Sequence, residues 1–84
     1  MYSVEFSKKA EDQLNKLPLN IQIRVVSVLD RIKINPFHFV KRKQGTPYFI
    51  LRIGEYRAIL DIKKQKLIIL ILEVGPRKNI YKSD

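Results

Sequence analysis

The segment Leu67-Ile-Ile-Leu-Ile-Leu-Glu-Val74 constrains the fold more than any other part of the chain. Its unbroken aliphatic run, rich in isoleucine, reads as a strand buried within a sheet. It leads directly into Gly75-Pro76-Arg77-Lys78-Asn79-Ile80-Tyr81. A buried strand that ends in a glycine turn and then presents an arginine and a tyrosine holds polar groups rigidly at a sheet edge. A second arginine element, Arg52-Ile-Gly-Glu-Tyr-Arg57, lies upstream. Between them these two segments carry most of the functional information.

The rest of the chain supplies that strand with neighbours. Tyr2, Val4 and Phe6 alternate with Ser3 and Glu5, the pattern of a short strand. Ser7 is placed to cap a helix from Lys8 to about Lys16, with Ala10, Leu14 and Leu17 on one face. Pro18 ends it. A second helix is expected from about Asn20 to Ile34, with Ile21, Val25, Val28, Leu29 and Ile32 in one stripe and Asn35-Pro36 as its stop. Residues 37–46 read as a loop. Three strands follow, at about Pro47–Ile53, Tyr56–Lys63 and Leu67–Val74. Their short links, Gly54-Glu55 and Lys64-Gln65-Lys66, imply an antiparallel meander. The expected order is β-α-α-β-β-β: an α+β fold in which an N-terminal helical hairpin packs on one face of a small antiparallel sheet. With 84 residues the chain has room for a single domain spanning 1–84.

Glycine first in the Gly54-Glu55 link suits a type II′ hairpin turn. That turn would pair Ile53 with Tyr56, Arg52 with Arg57 and Leu51 with Ala58. One face of the hairpin then collects Phe49, Leu51, Ile53, Tyr56, Ala58, Leu60 and Ile62, all apolar or aromatic, and packs under the helices. The other face sets Arg52 directly across from Arg57, and like charges so placed are destabilising unless something compensates. A phosphate group would do so, because guanidinium forks match phosphate oxygens. The structural alternative is an internal ion pair. A three-residue turn after Lys63 brings Arg57 beside Glu73, and a two-residue turn brings Tyr56 there; the sequence leaves both registers open.

Charge narrows the choice of partner. Seventeen Lys and Arg stand against eight Asp and Glu, a formal net charge of +9. Residues 1–36 hold six basic and four acidic side chains, whereas residues 37–84 hold eleven and four. A positive field concentrated on one half of a small protein suits a polyanion, either nucleic acid or an acidic protein. Lys41-Arg42-Lys43 reads as a patch that tracks a nucleic-acid backbone, while Lys63, Lys64 and Lys66 at a turn tip read as solvation. The absence of cysteine rules out disulfides and thiolate metal sites, and no cofactor motif is present. Without a signal-peptide pattern or an apolar run near the ~20 residues of a membrane helix, a cytoplasmic protein with no membrane association is expected. The sole histidine, His38, sits in the loop with no evident carboxylate partner, so a general acid–base pair is not expected there.

The opening strand, the helical hairpin, Tyr48…Leu51-Arg52-Ile53-Gly54-Glu55-Tyr56-Arg57 and the tail Val74-Gly75-Pro76-Arg77…Tyr81 occur together in one order. In that arrangement the whole chain resembles the RelE/ParE superfamily of toxins from type II toxin–antitoxin systems, and its RelE-like branch in particular. The resemblance implies a microbial-ribonuclease-like fold. It implies a ribosome-dependent endoribonuclease, an mRNA interferase, that cuts messages in the ribosomal A site by attack of the 2′-hydroxyl on the adjacent phosphate. By position, Arg57 matches the arginine that holds the scissile phosphate. Arg77 matches the arginine that protonates the leaving oxygen, and Tyr81 the tyrosine that stacks on or orients the message. Arg52, Lys41, Arg42, Lys43, Lys78 and Lys82 would bind RNA phosphates. Where relatives carry lysines before the arginine hairpin, this chain has Phe49-Ile50-Leu51, so Arg52 or the Lys41–Lys43 patch would substitute. The implied partners are the ribosome, its mRNA and an acidic RelB-like antitoxin, as a possible heterotetramer. Two other functions share the fold: a ParE-like inhibitor of DNA gyrase, and an RNA-binding relative that has lost catalysis.

Overall fold

The computed structural model describes residues 1–77. The chain runs β1 (Ser3–Phe6), α1 (Lys8–Asn15), α2 (Leu19–Ile32), a 3₁₀ turn (Pro36–His38), β2 (Val40–Arg42), β3 (Phe49–Ile53), β4 (Tyr56–Lys63) and β5 (Ile68–Pro76). The sheet order is β1-β5-β4-β3-β2, with β1 parallel to β5 and every other pair antiparallel. This is the expected α+β arrangement with two differences. The sheet is mixed rather than wholly antiparallel, because the helical hairpin returns the chain so that β1 lies parallel to β5, and it has one additional strand. Three residues, Val40–Arg42, form an edge strand on β3 inside the segment expected to be a loop. So short a strand carries no alternation to read, and only its pairing with β3 makes it one.

β5 lies between β1 and β4, which explains its aliphatic run. Ile69, Ile71 and Val74 are buried with Leu51, Ile53, Ala58 and Leu60 of β3 and β4 and with Ala10, Val25, Leu29 and Ile32 of the helices. Tyr56 and Ile62 pack against this cluster, as the face assignment requires. The hairpin register is the expected one, Arg52 opposite Arg57 and Leu51 opposite Ala58. Gly54 has φ of +60°, while Glu55 stays out of the left-handed region, the pattern of a II′ turn.

The link between β4 and β5 differs from both registers considered above. It takes four residues, Lys64–Leu67, with Lys63 opposite Ile68. Leu67 sits at φ +55°, the one non-glycine residue in the left-handed region among the described residues. Its carbonyl accepts the N–H of Ser3 at 2.8 Å, so the pairing of β1 stabilises a conformation that leucine disfavours. Further along, Ile59 faces Glu73 while Leu60 faces Ile71, so Leu72 is an extra residue bulged out of the ladder. The strand then continues through Gly75 to Pro76 rather than turning at the glycine.

α1 occupies the edge of β5 that β1 leaves open. β1 ends as Ser7 N–H reaches Ile71 O at 2.9 Å. Beyond it, the Ser7 hydroxyl donates to the carbonyl of the bulged Leu72 at 3.1 Å, and Val74 N–H donates to Gln13 Oε1 at 2.9 Å. The same Ser7 oxygen accepts Ala10 N–H at 3.1 Å as the helix cap. One side chain therefore starts α1 and satisfies the bulge. Replacing Ser7 by alanine removes both bonds, and urea denaturation of Ser7→Ala should show a loss of about 1–3 kcal/mol.

Candidate nucleic-acid interface

On the sheet face opposite the helices, successive cross-strand rows place Lys41, Ile50, Ile59 and Glu73 together, then Arg52, Arg57 and Gly75. A cleft of about 460 Å³ opens over these rows. It is lined by Phe39, Lys41, Arg42, Gln44, Ile50, Arg52, Arg57 and Arg77. Five of these eight side chains are cationic, and no carboxylate or imidazole is among them. Low-dielectric walls such as Ile50 and Phe39 concentrate the field of such a cluster on whatever enters.

Arg57 is the centre of the arrangement. It is only 3% exposed, the one charged residue buried among those described. Its Nη1 donates to Gly54 O at 3.0 Å and to Tyr56 O at 2.9 Å, so the guanidinium curls back over the hairpin turn. These carbonyl dipoles offset part of the cost of burying a cation beside Arg52. Gly75 stands across from it on β5 and brings no side chain into the space the guanidinium needs. The internal ion pair considered as an alternative does not involve Glu73. That carboxylate lies across from Ile59 and pairs with Lys9 of α1 at 3.2 Å.

The structure brings together Arg52, Arg57, Arg77, Lys41 and Arg42. Arg52 and Lys41 are exposed. Arg42 is anchored at the rim, its Nε donating to Thr46 O at 3.0 Å and its guanidinium carbon 5.7 Å from the Phe49 ring centre. Phe49 in turn meets Phe37 edge-to-face at 5.4 Å. Arg77 joins the cleft because its backbone N–H donates to Glu55 O at 2.9 Å, tying the end of β5 to the hairpin turn. Lys43 does not line the cleft; its main chain shapes the turn, with N–H to Tyr48 O at 2.9 Å. Tyr81, Lys78 and Lys82 lie outside the described residues. His38 is exposed and contacts Phe39, 5.3 Å between ring centres, without lining the cleft. Phe39 and Gln44 were not anticipated as cleft residues, because the unread strand Val40–Arg42 is what brings them there. Among the described residues no group of three His, Cys, Asp or Glu side chains could hold a metal ion. No described helix is long and apolar enough to cross a membrane.

The family profile for ParE toxins of type II toxin–antitoxin systems (parDE) matches residues 4–81. No curated protein sequence matches the chain. Among solved structures, the chain is similar to one in the toxin–antitoxin complex RelBE2 of Mycobacterium tuberculosis, with 30% identity and a TM-score of 0.82, covering 90% of this chain and 98% of that one. It is also similar to the archaeal RelE–RelB complex of Pyrococcus horikoshii OT3, at 28% identity and a TM-score of 0.77, over 90% of this chain and 94% of that one. The intact E. coli RelBE complex matches at 20% identity and a TM-score of 0.77, over 90% and 96% of the two chains, a likeness that speaks to the fold alone.

The cleft's cations should be countable in solution. Single-stranded nucleic acid loses affinity with salt at a log–log slope of about −0.7 per neutralised phosphate. Arg52→Ala should make the slope for a fluorescent single-stranded RNA shallower by about 0.7, measured by anisotropy across a salt series. An unchanged slope would remove Arg52 from the phosphate contacts.

Proposed function

The chain belongs to the ParE toxin family of type II toxin–antitoxin systems, within the RelE/ParE superfamily, and we propose that it is a ribosome-dependent endoribonuclease that cleaves mRNA in the ribosomal A site. The observation that carries this reading is the cleft of five cations that includes a buried arginine, with no carboxylate among its described lining residues. In the reaction, the 2′-oxygen gives up its proton and bonds to phosphorus. The bond from phosphorus to the 5′-oxygen breaks, and that oxygen takes up a proton. The products are a 2′,3′-cyclic phosphate and a 5′-hydroxyl.

Negative charge grows on the phosphoryl oxygens in the transition state, and Arg57 is held where such charge would be met. Two carbonyls already fix its guanidinium, so little reorganisation is needed when the charge develops. Arg52 and Lys41 add attraction along the backbone, and Arg77 serves the leaving oxygen. Tyr81 stacks on the message, with Lys43, Lys78 and Lys82 as further phosphate contacts. Since the described cleft holds no imidazole or carboxylate for proton transfer, catalysis draws chiefly on positioning and charge neutralisation. A ribosome that presents the message in a fixed geometry supplies the positioning, so free RNA should be a poor substrate.

An acidic RelB-like antitoxin is the proposed partner, in a heterotetramer. Net charge of +9 supports it. So does an apolar stripe on α2, where Leu19, Ile23 and Val26 recur at i, i+4 and i+7 with exposures of 69%, 63% and 52%. A second reading, inhibition of DNA gyrase, is favoured by one observation: the matching profile is that of ParE toxins. The apolar Phe49-Ile50-Leu51 segment leaves room for a third, RNA binding without cleavage.

The deciding experiment adds the purified protein to ribosomes stalled on a defined message and maps new 5′ ends. A cut within the A-site codon is expected, with none on free RNA. Arg57→Ala and Arg77→Ala should each slow it by about 10²–10³-fold, the usual effect of removing one donor from a developing oxyanion. Thermal melts of both variants separate lost chemistry from lost fold. Undiminished cutting in both would end the roles given to these arginines, and no cut alongside blocked supercoiling would favour the gyrase reading.

A further inference from the structure

The Gly54-Glu55 turn gathers three arginines, and only two of them line the cleft. Arg57 Nη1 donates to the Gly54 carbonyl at 3.0 Å. Arg77 N–H donates to the Glu55 carbonyl at 2.9 Å. The third is Arg24 of α2, approaching from the helix side of the sheet. A Cβ placed on Gly54 would lie 3.2 Å from Arg24 Cζ, 3.2 Å from Nη1 and 3.3 Å from Nη2. Three nearly equal distances to atoms of one planar group mean that the flat face of the guanidinium covers Gly54. Arg24 makes no hydrogen bond or ion pair among the described residues, so its head group is placed by packing, of which this stacked contact is a part.

From these contacts we propose that Arg24 is a positioning residue: by stacking on Gly54 it fixes the turn whose two carbonyls hold Arg57 and Arg77 in the cleft. The physical basis is the softness of a two-residue turn. Glycine has access to many backbone conformations, and Gly54 must stay at φ +60° for its carbonyl to meet Arg57. A planar group packed on its exposed Cα restricts that freedom without occupying the cleft. A side chain at residue 54 would be strained at positive φ, and its Cβ would press on the Arg24 guanidinium at 3.2 Å and push it outward by a few tenths of an ångström. Glycine and arginine are complementary parts of one support. The effect on RNA cleavage rests on the function proposed above; the effect on the turn does not.

Flatness, rather than charge, is the property invoked, so the substitutions divide on that basis. Arg24→Gln keeps a planar neutral head, Arg24→Lys keeps the charge without the plane, and Arg24→Ala keeps neither. Arg24 is exposed, so all three should fold, as thermal melts would verify. The first readout is amide hydrogen exchange at Arg77, whose N–H reports directly on the Glu55 carbonyl. Arg24→Ala and Arg24→Lys should speed it about tenfold, while Arg24→Gln stays within about twofold of the native protein. The second readout is cleavage on stalled ribosomes, where the same two variants should fall about tenfold in rate at unchanged ribosome affinity. Native exchange in Arg24→Ala overturns the proposal, as does rescue by lysine but not glutamine, or faster exchange with undiminished cleavage. If the native protein cuts nothing, the nuclease reading fails on its own, and the exchange pattern still decides whether Arg24 holds the turn.

Discussion

The register of β5 on β4 is the constraint on which the rest of the molecule depends. Lys63 faces Ile68 at the start of the pairing, and from there an unbroken ladder would set Val74 against Arg57. The extra residue at Leu72 shifts the pairing by one, so Val74 meets Ala58 in the core and Gly75 meets Arg57. A slip of one residue in a strand exchanges its faces. Without the bulge, a branched side chain would crowd the buried guanidinium and the core would lose a valine. The bulge in turn persists because Ser7 and Gln13 of α1 take up the polar groups beside it.

A chain of this size buries a charge only where the surroundings are built for it. Arg57 is nearly inaccessible and has another arginine across the strand pair, an arrangement that costs stability. The fold accommodates it with two carbonyls of the hairpin turn and a glycine on the neighbouring strand. Arg52, Lys41, Arg42 and Arg77 stand around Arg57, and none of the described residues lining the space is a carboxylate, so the lining favours an anion. The cost of burying that charge is borne by the apolar cluster under the sheet.

Elements governed by local chemistry were legible in the sequence. Ser7 as a cap, the helices of α1 and α2 and the Gly54-Glu55 turn each follow from residues close together in the chain. The Arg52–Arg57 pair was legible too, because a two-residue turn leaves one register to choose. β2 was not, since its three residues acquire strand geometry only from β3. Neither was the left-handed Leu67, whose conformation depends on a hydrogen bond from Ser3 at the other end of the chain.

The sequence by itself determined the α+β order and the arginines that face away from the core, because each is written in spacing along one hairpin or one helix; the family showed as a resemblance carried by motifs along nearly the whole chain. Only the tertiary structure decided which of the remaining cations join Arg52 and Arg57. Lys41 and Arg42 enter through an edge strand, Arg77 through a hydrogen bond to Glu55, and Lys43 points its main chain into a turn instead. Those outcomes hang on strand register and a single bulge, and register is an energy summed over contacts between distant segments. No local pattern encodes such a sum, so the cleft had to be seen assembled.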